Sequence, residues 1–198
     1  MEKNVSKRFT KPELKRGKSL LGPRLSCKYG PKASYVRAEL ERDYEVDPLD
    51  RKLKWNKPPE NALIVKKTGT DTTKPLKELA TWLMKERDLH VFVLPDVLKE
   101  EAVKEDLAFT NVYHQLQVFN GNEEIDFVIC LGGDGTLLYA TSLFQHSMPP
   151  VISFHLGSLG FLTTHKIEDY QTSLIDLLDG SAVLLLRSRL RCIVERYI

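Results

Sequence analysis

Gly132-Gly133-Asp134-Gly135-Thr136 is the stretch whose residue types and spacing could carry out a reaction. Three glycines bracket one acid. Without a Cβ, a glycine turn lets a phosphate come close to backbone N–H groups. A carboxylate beside that phosphate adds negative charge, which binding alone does not need. It makes chemical sense if Asp134 accepts a proton from a hydroxyl nucleophile, or holds a metal or a ribose hydroxyl. The same residues also suit a plain Asp-Gly turn between a strand and a helix.

The flanking residues provide that strand and helix. Phe127–Leu131 is a short run of β-branched and aromatic residues, the pattern of a buried strand. Leu137, Leu138 and Ala140 follow at helical spacing, and the helix continues through Tyr139, Leu143 and Phe144. Strand, glycine turn and helix start together present N–H groups to a phosphate.

Further elements alternate along the chain. Asn61–Lys66 reads as a strand and Thr68–Thr73 as a polar turn. Pro75 opens an amphipathic helix, with Leu76, Leu79, Ala80, Leu83 and Met84 inward, ending near Arg87. His90–Leu94 is a strand closed by Pro95, and Asp96–Leu107 a helix. Ala108–Glu124 reads as a loop-rich crossover with a short helix near Tyr113–Val118. After Pro149-Pro150 come a strand at Val151–His155 and a helix at Glu168–Leu178. That helix has Tyr170, Ile175 and Leu178 inward and stops at Gly180. Ala182–Val194 reads as a strand with one solvated face. Alternating strands and helices predict an α/β fold, a parallel sheet with helices on both faces.

In such sheets ligands lie outside the carboxyl ends of the strands. Three ends supply candidates: Lys66 and Lys67, Gly132–Thr136, and His155–Phe161. The lysines would offset phosphate charge, or merely form a solvated strand end. His155 reads as a binding residue beside backbone exposed by Gly157 and Gly160, the alternative being a core histidine. No Gly-x-Gly-x-x-Gly follows a strand, which disfavours a dinucleotide-binding dehydrogenase.

The 198 residues carry a net charge of +2, and this excludes a strong case for nucleic acid. The charge is uneven: residues 1–58 hold 16 Lys+Arg against 8 Asp+Glu, and the remainder is net acidic. That basic stretch is broken by Pro12, Pro23, Pro31, Pro48 and Pro58 and predicts a largely disordered extension, with some strand around Ala33–Arg37. Arg16-Gly17-Lys18-Ser19 has the spacing of a basophilic phosphorylation site. Cys27, Cys130 and Cys192 are scattered, with no metal-type spacing, which fits a reducing compartment. Cys130 reads as a packing residue in the buried strand. No apolar run is long enough to span a membrane, and the N-terminus lacks a signal-type apolar segment, so a cytoplasmic location is expected.

Leu131-Gly-Gly-Asp-Gly-Thr-Leu-Leu followed by His155-Leu-Gly-Ser-Leu-Gly-Phe-Leu-Thr resembles the ATP-dependent NAD kinases. The glycine turn alone is shared with diacylglycerol and sphingosine kinases and with 6-phosphofructokinases; the second segment is the more specific. The resemblance runs from about Trp55 to the end, and the Gly22-Pro23 and Gly30–Ala33 stretches look like the extension of animal cytosolic members. It implies a nucleotide-binding domain of the NAD kinase/diacylglycerol kinase type over residues 59–186. It further implies that the adenosine ribose 2′-hydroxyl of NAD attacks the γ-phosphate of ATP, with Mg²⁺ or another divalent cation on the triphosphate. Asp134 would be the general base or would position the hydroxyl. Gly132, Gly133, Gly135 and Thr136 would lie against phosphates, and Phe161 beside the dinucleotide. His155 stands where many members have Asn.

Members of that family continue into a β-rich second domain carrying an Asn-Glu motif and a later Asp. Residues 187–198 resemble only its start, and no Asn-Glu pair follows Phe161. The expectation is therefore a fragment or short form, with little activity alone, of a protein that is a homo-oligomer at full length. The competing readings are a lipid kinase and a non-catalytic nucleotide-binding or interaction module.

Overall fold

The computed structural model describes residues 30–37, 51–157 and 159–189. Nine strands and five α-helices are found among them: β1 Ala33–Arg37, β2 Arg51–Trp55, β3 Asn61–Lys66, α1 Thr73–Glu86, β4 His90–Val93, α2 Glu101–Lys104, α3 Thr110–Tyr113, β5 Gln117–Val118, β6 Phe127–Leu131, α4 Asp134–Ser142, β7 Val151–His155, β8 His165–Lys166, α5 Tyr170–Leu178 and β9 Val183–Leu184.

Six strands form a wholly parallel sheet in the order β5-β4-β3-β6-β7-β8. The chain builds outward from β3 through β4 to β5, then returns to lay β6 on the other side of β3. The strand order therefore reverses between β3 and β6, the place where open α/β sheets form a ligand crevice. Side chains alternate across the sheet as a period of two requires. Ala62, Ile64, Phe127, Ile129 and Leu131 pack with α1 and α5, whereas Leu63, Val65, Val128 and Cys130 pack with α4. Because both faces are covered, every residue of β6 is buried. Cys130 is a packing residue, and burial pushes its thiol up to about 12.

Several boundaries differ from the sequence expectation. Asp96–Leu107 is not one helix: a single 3-10 turn at Val97–Lys99 precedes the four-residue α2. The expected helix near Tyr113–Val118 lies earlier, as α3, and Gln117–Val118 is a strand instead. In α5 the fully buried side chains are Leu174 and Leu177, while Tyr170 and Leu178 are only partly buried, so the inward face is turned by one residue. Ala182–Val194 yields only the two-residue β9 among its described residues.

The basic stretch is not wholly without order. β1 and β2 pair antiparallel from Ala33↔Trp55 to Arg37↔Arg51, and β9 joins the outer edge of β2. Long-range partners hold this small sheet in place. Trp55 donates its indole N–H to the Leu177 carbonyl at 2.7 Å and meets Phe127 edge-on. Lys32 reaches the fully buried Asp126 at 3.1 Å, and Asp126 also accepts the N–H groups of Glu60 and Asn61. Composition describes the average of this stretch and could not reveal those few anchors. Ser19, Cys27 and Cys192 lie outside the described residues.

Candidate functional site

The three strand ends singled out by sequence converge. Lys67 follows β3, Gly132 follows β6, and His155 closes β7. Backbone bonds hold them side by side: Lys67 N–H donates to Leu131 O at 2.8 Å, and Gly132 N–H donates to Phe154 O at 3.0 Å. One cleft of about 520 Å³ opens over them, lined by Lys67, Asp71, Gly132, Gly133, Gly135, Thr136, His155, Leu156 and Gly157.

The floor of the cleft is the glycine turn. Gly132 has φ of 152°, and a Cβ there would overlap the Thr136 hydroxyl and press on Lys67 Cβ at 3.0 Å. Only glycine lets the chain leave the buried strand and enter α4 at this point. At Gly133, Gly135 and Gly157 an added Cβ would meet nothing within 4 Å, so the space above each is open. Gly133 caps α4: its carbonyl accepts the Thr136 N–H at 2.9 Å and the Leu137 N–H at 3.4 Å, while the N–H groups of Asp134 and Gly135 lie ahead of the first intrahelical bond. An exposed helix start of this kind favours anions.

Asp134 is placed differently from the cleft-facing acid that the sequence reading expected. It opens α4, but its carboxylate turns to the loop after β7. Oδ2 accepts Phe161 N–H at 2.9 Å; Oδ1 accepts Leu162 N–H at 2.9 Å and Thr163 N–H at 3.2 Å. The Thr163 hydroxyl donates to Oδ1 as well, at 3.3 Å. The Leu162 N–H above all, then those of Phe161 and Thr163, stabilise the ionised form and hold Asp134 below the usual carboxylate range, against a smaller opposing effect of desolvation. Four loop donors thus occupy most of the acceptor capacity of Asp134.

The two lysines part company. Lys67 is 60% exposed and borders the cleft, with Asp71 at 3.7 Å. Lys66 is buried on the opposite side of the sheet end. It pairs with Glu100 at 2.8 Å and donates to Thr72 Oγ1 at 3.0 Å and Gly69 O at 3.2 Å. Its charge is used within the protein and does not reach the cleft. His155 is buried, and its Nδ1 lies 2.9 Å from Gly157 O. A carbonyl only accepts, so Nδ1 carries the proton and Nε2 is left for another partner. Phe161 is 86% exposed beside the cleft.

Two residues at this site were not anticipated. Asp71 reaches the cleft from the loop after β3, and nothing in a polar turn marks one acid above its neighbours. Thr163 is fully buried and completes the shell around Asp134. Its position at the end of the second glycine segment was the only available sign.

Among proteins of known family, the model for the ATP-NAD kinase N-terminal domain matches residues 62–182. The chain is 40% identical over 148 residues to "Probable NAD kinase 2, chloroplastic" of Oryza sativa, covering 73% of this chain and 15% of that protein. It is 34% identical over 144 residues to "NADH kinase pos5, mitochondrial" of Schizosaccharomyces pombe, covering 71% and 36%. A solved structure, "Crystal Structure of Yeast NADH Kinase complexed with NADH", superposes with a TM-score of 0.62 at 28% identity, covering 70% of this chain and 41% of that one. The chain thus spans well under half the length of these relatives. The expected cytoplasmic location is overturned by the same comparison, because the Oryza sativa and Schizosaccharomyces pombe relatives and the Arabidopsis thaliana "NAD kinase 2, chloroplastic" are organellar by name. Short apolar statistics at one terminus carry too little information to assign a compartment. Strand order, glycine cleft and family match agree, and the chain belongs to the ATP-NAD kinase family.

Proposed function

We propose that this chain supplies the nucleotide-binding half-site of an NAD kinase, which transfers the γ-phosphate of ATP to the adenosine ribose 2′-hydroxyl of NAD. The observation that carries the reading is the convergence of Lys67, Gly132, Gly133, Gly135, Thr136, His155 and Gly157 on one cleft at the reversal of strand order. Its volume suits part of a dinucleotide. The open space above Gly133 and Gly135 and the start of α4 favour phosphate oxygens, and Lys67 offsets their charge.

Asp134 has the role of positioning the attacking hydroxyl. A carboxylate offers about four acceptor directions. Oδ1 already takes three donors, whereas Oδ2 takes only Phe161 N–H, so Oδ2 has room for one more. Phosphoryl transfer through a loose transition state asks mainly for alignment and charge neutralisation, and a low-pKa acid meets that demand. A divalent cation would arrive on the triphosphate. Among the described residues no group of three or more His, Cys, Asp and Glu converges to hold one. Asp71 in the cleft fits the single carboxylate that a phosphate-borne Mg²⁺ commonly takes. Phe161, exposed beside the cleft, suits a face against the dinucleotide. Resemblance of the Gly22-Pro23 and Gly30–Ala33 stretches to animal members supports an animal-type chain.

The test is NADP formation from NAD and ATP with Mg²⁺, using the whole translated product that contains this chain. Gly133→Val should abolish it by filling the open floor while leaving the fold intact. A folded product that binds neither nucleotide and makes no NADP would sink the reading.

A further inference from the structure

The kinase reading uses Asp134 but not the shell that holds it. Four donors from three consecutive residues, Phe161, Leu162 and Thr163, surround one carboxylate that is 27 to 29 positions away in the chain. Gly160 is pressed so closely on this group that a Cβ would overlap both Asp134 Oδ1 and Thr163 Oγ1. Among the described contacts the loop has two further side-chain ties, from Ser153 Oγ to Leu162 O at 3.4 Å and from His155 Nδ1 to Gly157 O at 2.9 Å. The residue on its outer side, Phe161, has almost no cover of its own.

We propose that Thr163 is a positioning residue, which with the loop N–H groups fixes the Asp134 carboxylate and so latches the Phe161 loop onto the glycine turn. The Thr163 side chain is fully buried, and its hydroxyl has one acceptor among the described contacts, Asp134 Oδ1. A hydroxyl at that point does two things. It adds a third donor to the crowded Oδ1, which leaves Oδ2, with one donor, as the oxygen open to substrate. It also fixes the rotamer of Asp134, because the carboxylate can satisfy all four donors in only one orientation. The loop and the turn then move as one body, and Phe161 stands at a set distance from the cleft floor. The charged and titratable groups lining the adjoining cleft are Lys67, Asp71 and His155; among the described contacts none of them is paired with Asp134. The kinetic part of this proposal rests on the kinase reading, whereas the latch itself does not.

Two measurements on the whole translated product separate the two. Amide hydrogen exchange at Phe161, Leu162 and Thr163 reads the latch without any substrate. Asp134→Asn replaces one acceptor oxygen with a donor and should accelerate exchange at these amides about tenfold or more. Thr163→Val keeps volume and burial but loses the hydroxyl, and should accelerate it by a smaller factor; Thr163→Ser should restore the slow rate. In NADP formation, Thr163→Val should lower kcat and shift the acid limb of its pH profile upward, with the KM for ATP little changed, and Thr163→Ser should recover both. Unchanged exchange in both Asp134→Asn and Thr163→Val overturns the latch, even if turnover falls. Accelerated exchange in the variants, where the unsubstituted product makes no NADP, leaves the latch standing and overturns the kinase reading instead.

Discussion

Gly160 and Asp134 are packed against each other between the loop after β7 and the start of α4: a Cβ on Gly160 would occupy the place of Asp134 Oδ1. The carboxylate sits there because the N–H groups of the next three residues draw it in. Gly160→Ala must therefore either eject Asp134 from its shell or displace the loop. Turnover should fall about 100-fold or more, the scale of losing a positioned catalytic group. Thermal unfolding should move much less, since the site is at the surface. NADP kinetics alongside calorimetry check this, and a fully active Gly160→Ala would refute the packing.

The ionisation of Asp134 has a defined pH window. Its partners stabilise the charged form, so its folded pKa lies below the ordinary value of about 3.9. A depressed acid contributes stability above its unfolded pKa and loses it as pH falls through the folded one. The loop should thus stay latched through the ordinary carboxylate range and release only below it. Carboxyl-carbon NMR of Asp134, followed together with the Phe161 amide shift, should give one shared midpoint below about 3.9.

Neighbouring lysines should behave oppositely. Lys66→Met removes the buried partner of Glu100 and of Thr72, and should cost about 2 kcal/mol or more in denaturant unfolding. Lys67→Met touches an exposed side chain with a loose ion pair to Asp71, so stability should change by less than about 0.5 kcal/mol. Nucleotide affinity should instead fall, and fall less at high salt. Equal effects on stability from both variants would contradict the geometry.

The anchor of the small sheet is testable in the same manner. Asp126 is fully buried and accepts two backbone N–H groups and the Lys32 ammonium. Asp126→Ala should cost about 3 kcal/mol and release residues 30–37 to limited proteolysis. Glu60, the other partner of Lys32, is 68% exposed, and Glu60→Ala should change stability far less than Asp126→Ala does.

The strand, turn and helix around Asp134 were legible in the sequence because their signals are local. β-branched residues, glycines and helical spacing act over a few neighbours. The Val151–His155 strand was found with the same residue bounds, and the helix from Pro75 differs at its start by two residues. Where several weak signals overlapped, as in Asp96–Val118, the boundaries moved. In the basic stretch the strand at Ala33–Arg37 was read from the sequence, but its pairing with β2 and the anchors that hold the small sheet were not, because they depend on partners far away, Asp126 and Leu177.

By itself the sequence determined that a glycine turn with one acid follows a buried strand, that three strand ends carry the polar candidates, and which family the chain belongs to. Only the tertiary structure decided what each candidate faces. Strand geometry buries Lys66 against Thr72 and Glu100 while Lys67, one residue on, meets the cleft. Parallel pairing of β6 with β7 brings the loop after one beside the turn after the other, so that Asp134 meets amides 27 to 29 residues away. Spacing along a chain specifies neighbours within an element; which elements meet depends on sheet order and register, and those follow from burying both faces at once.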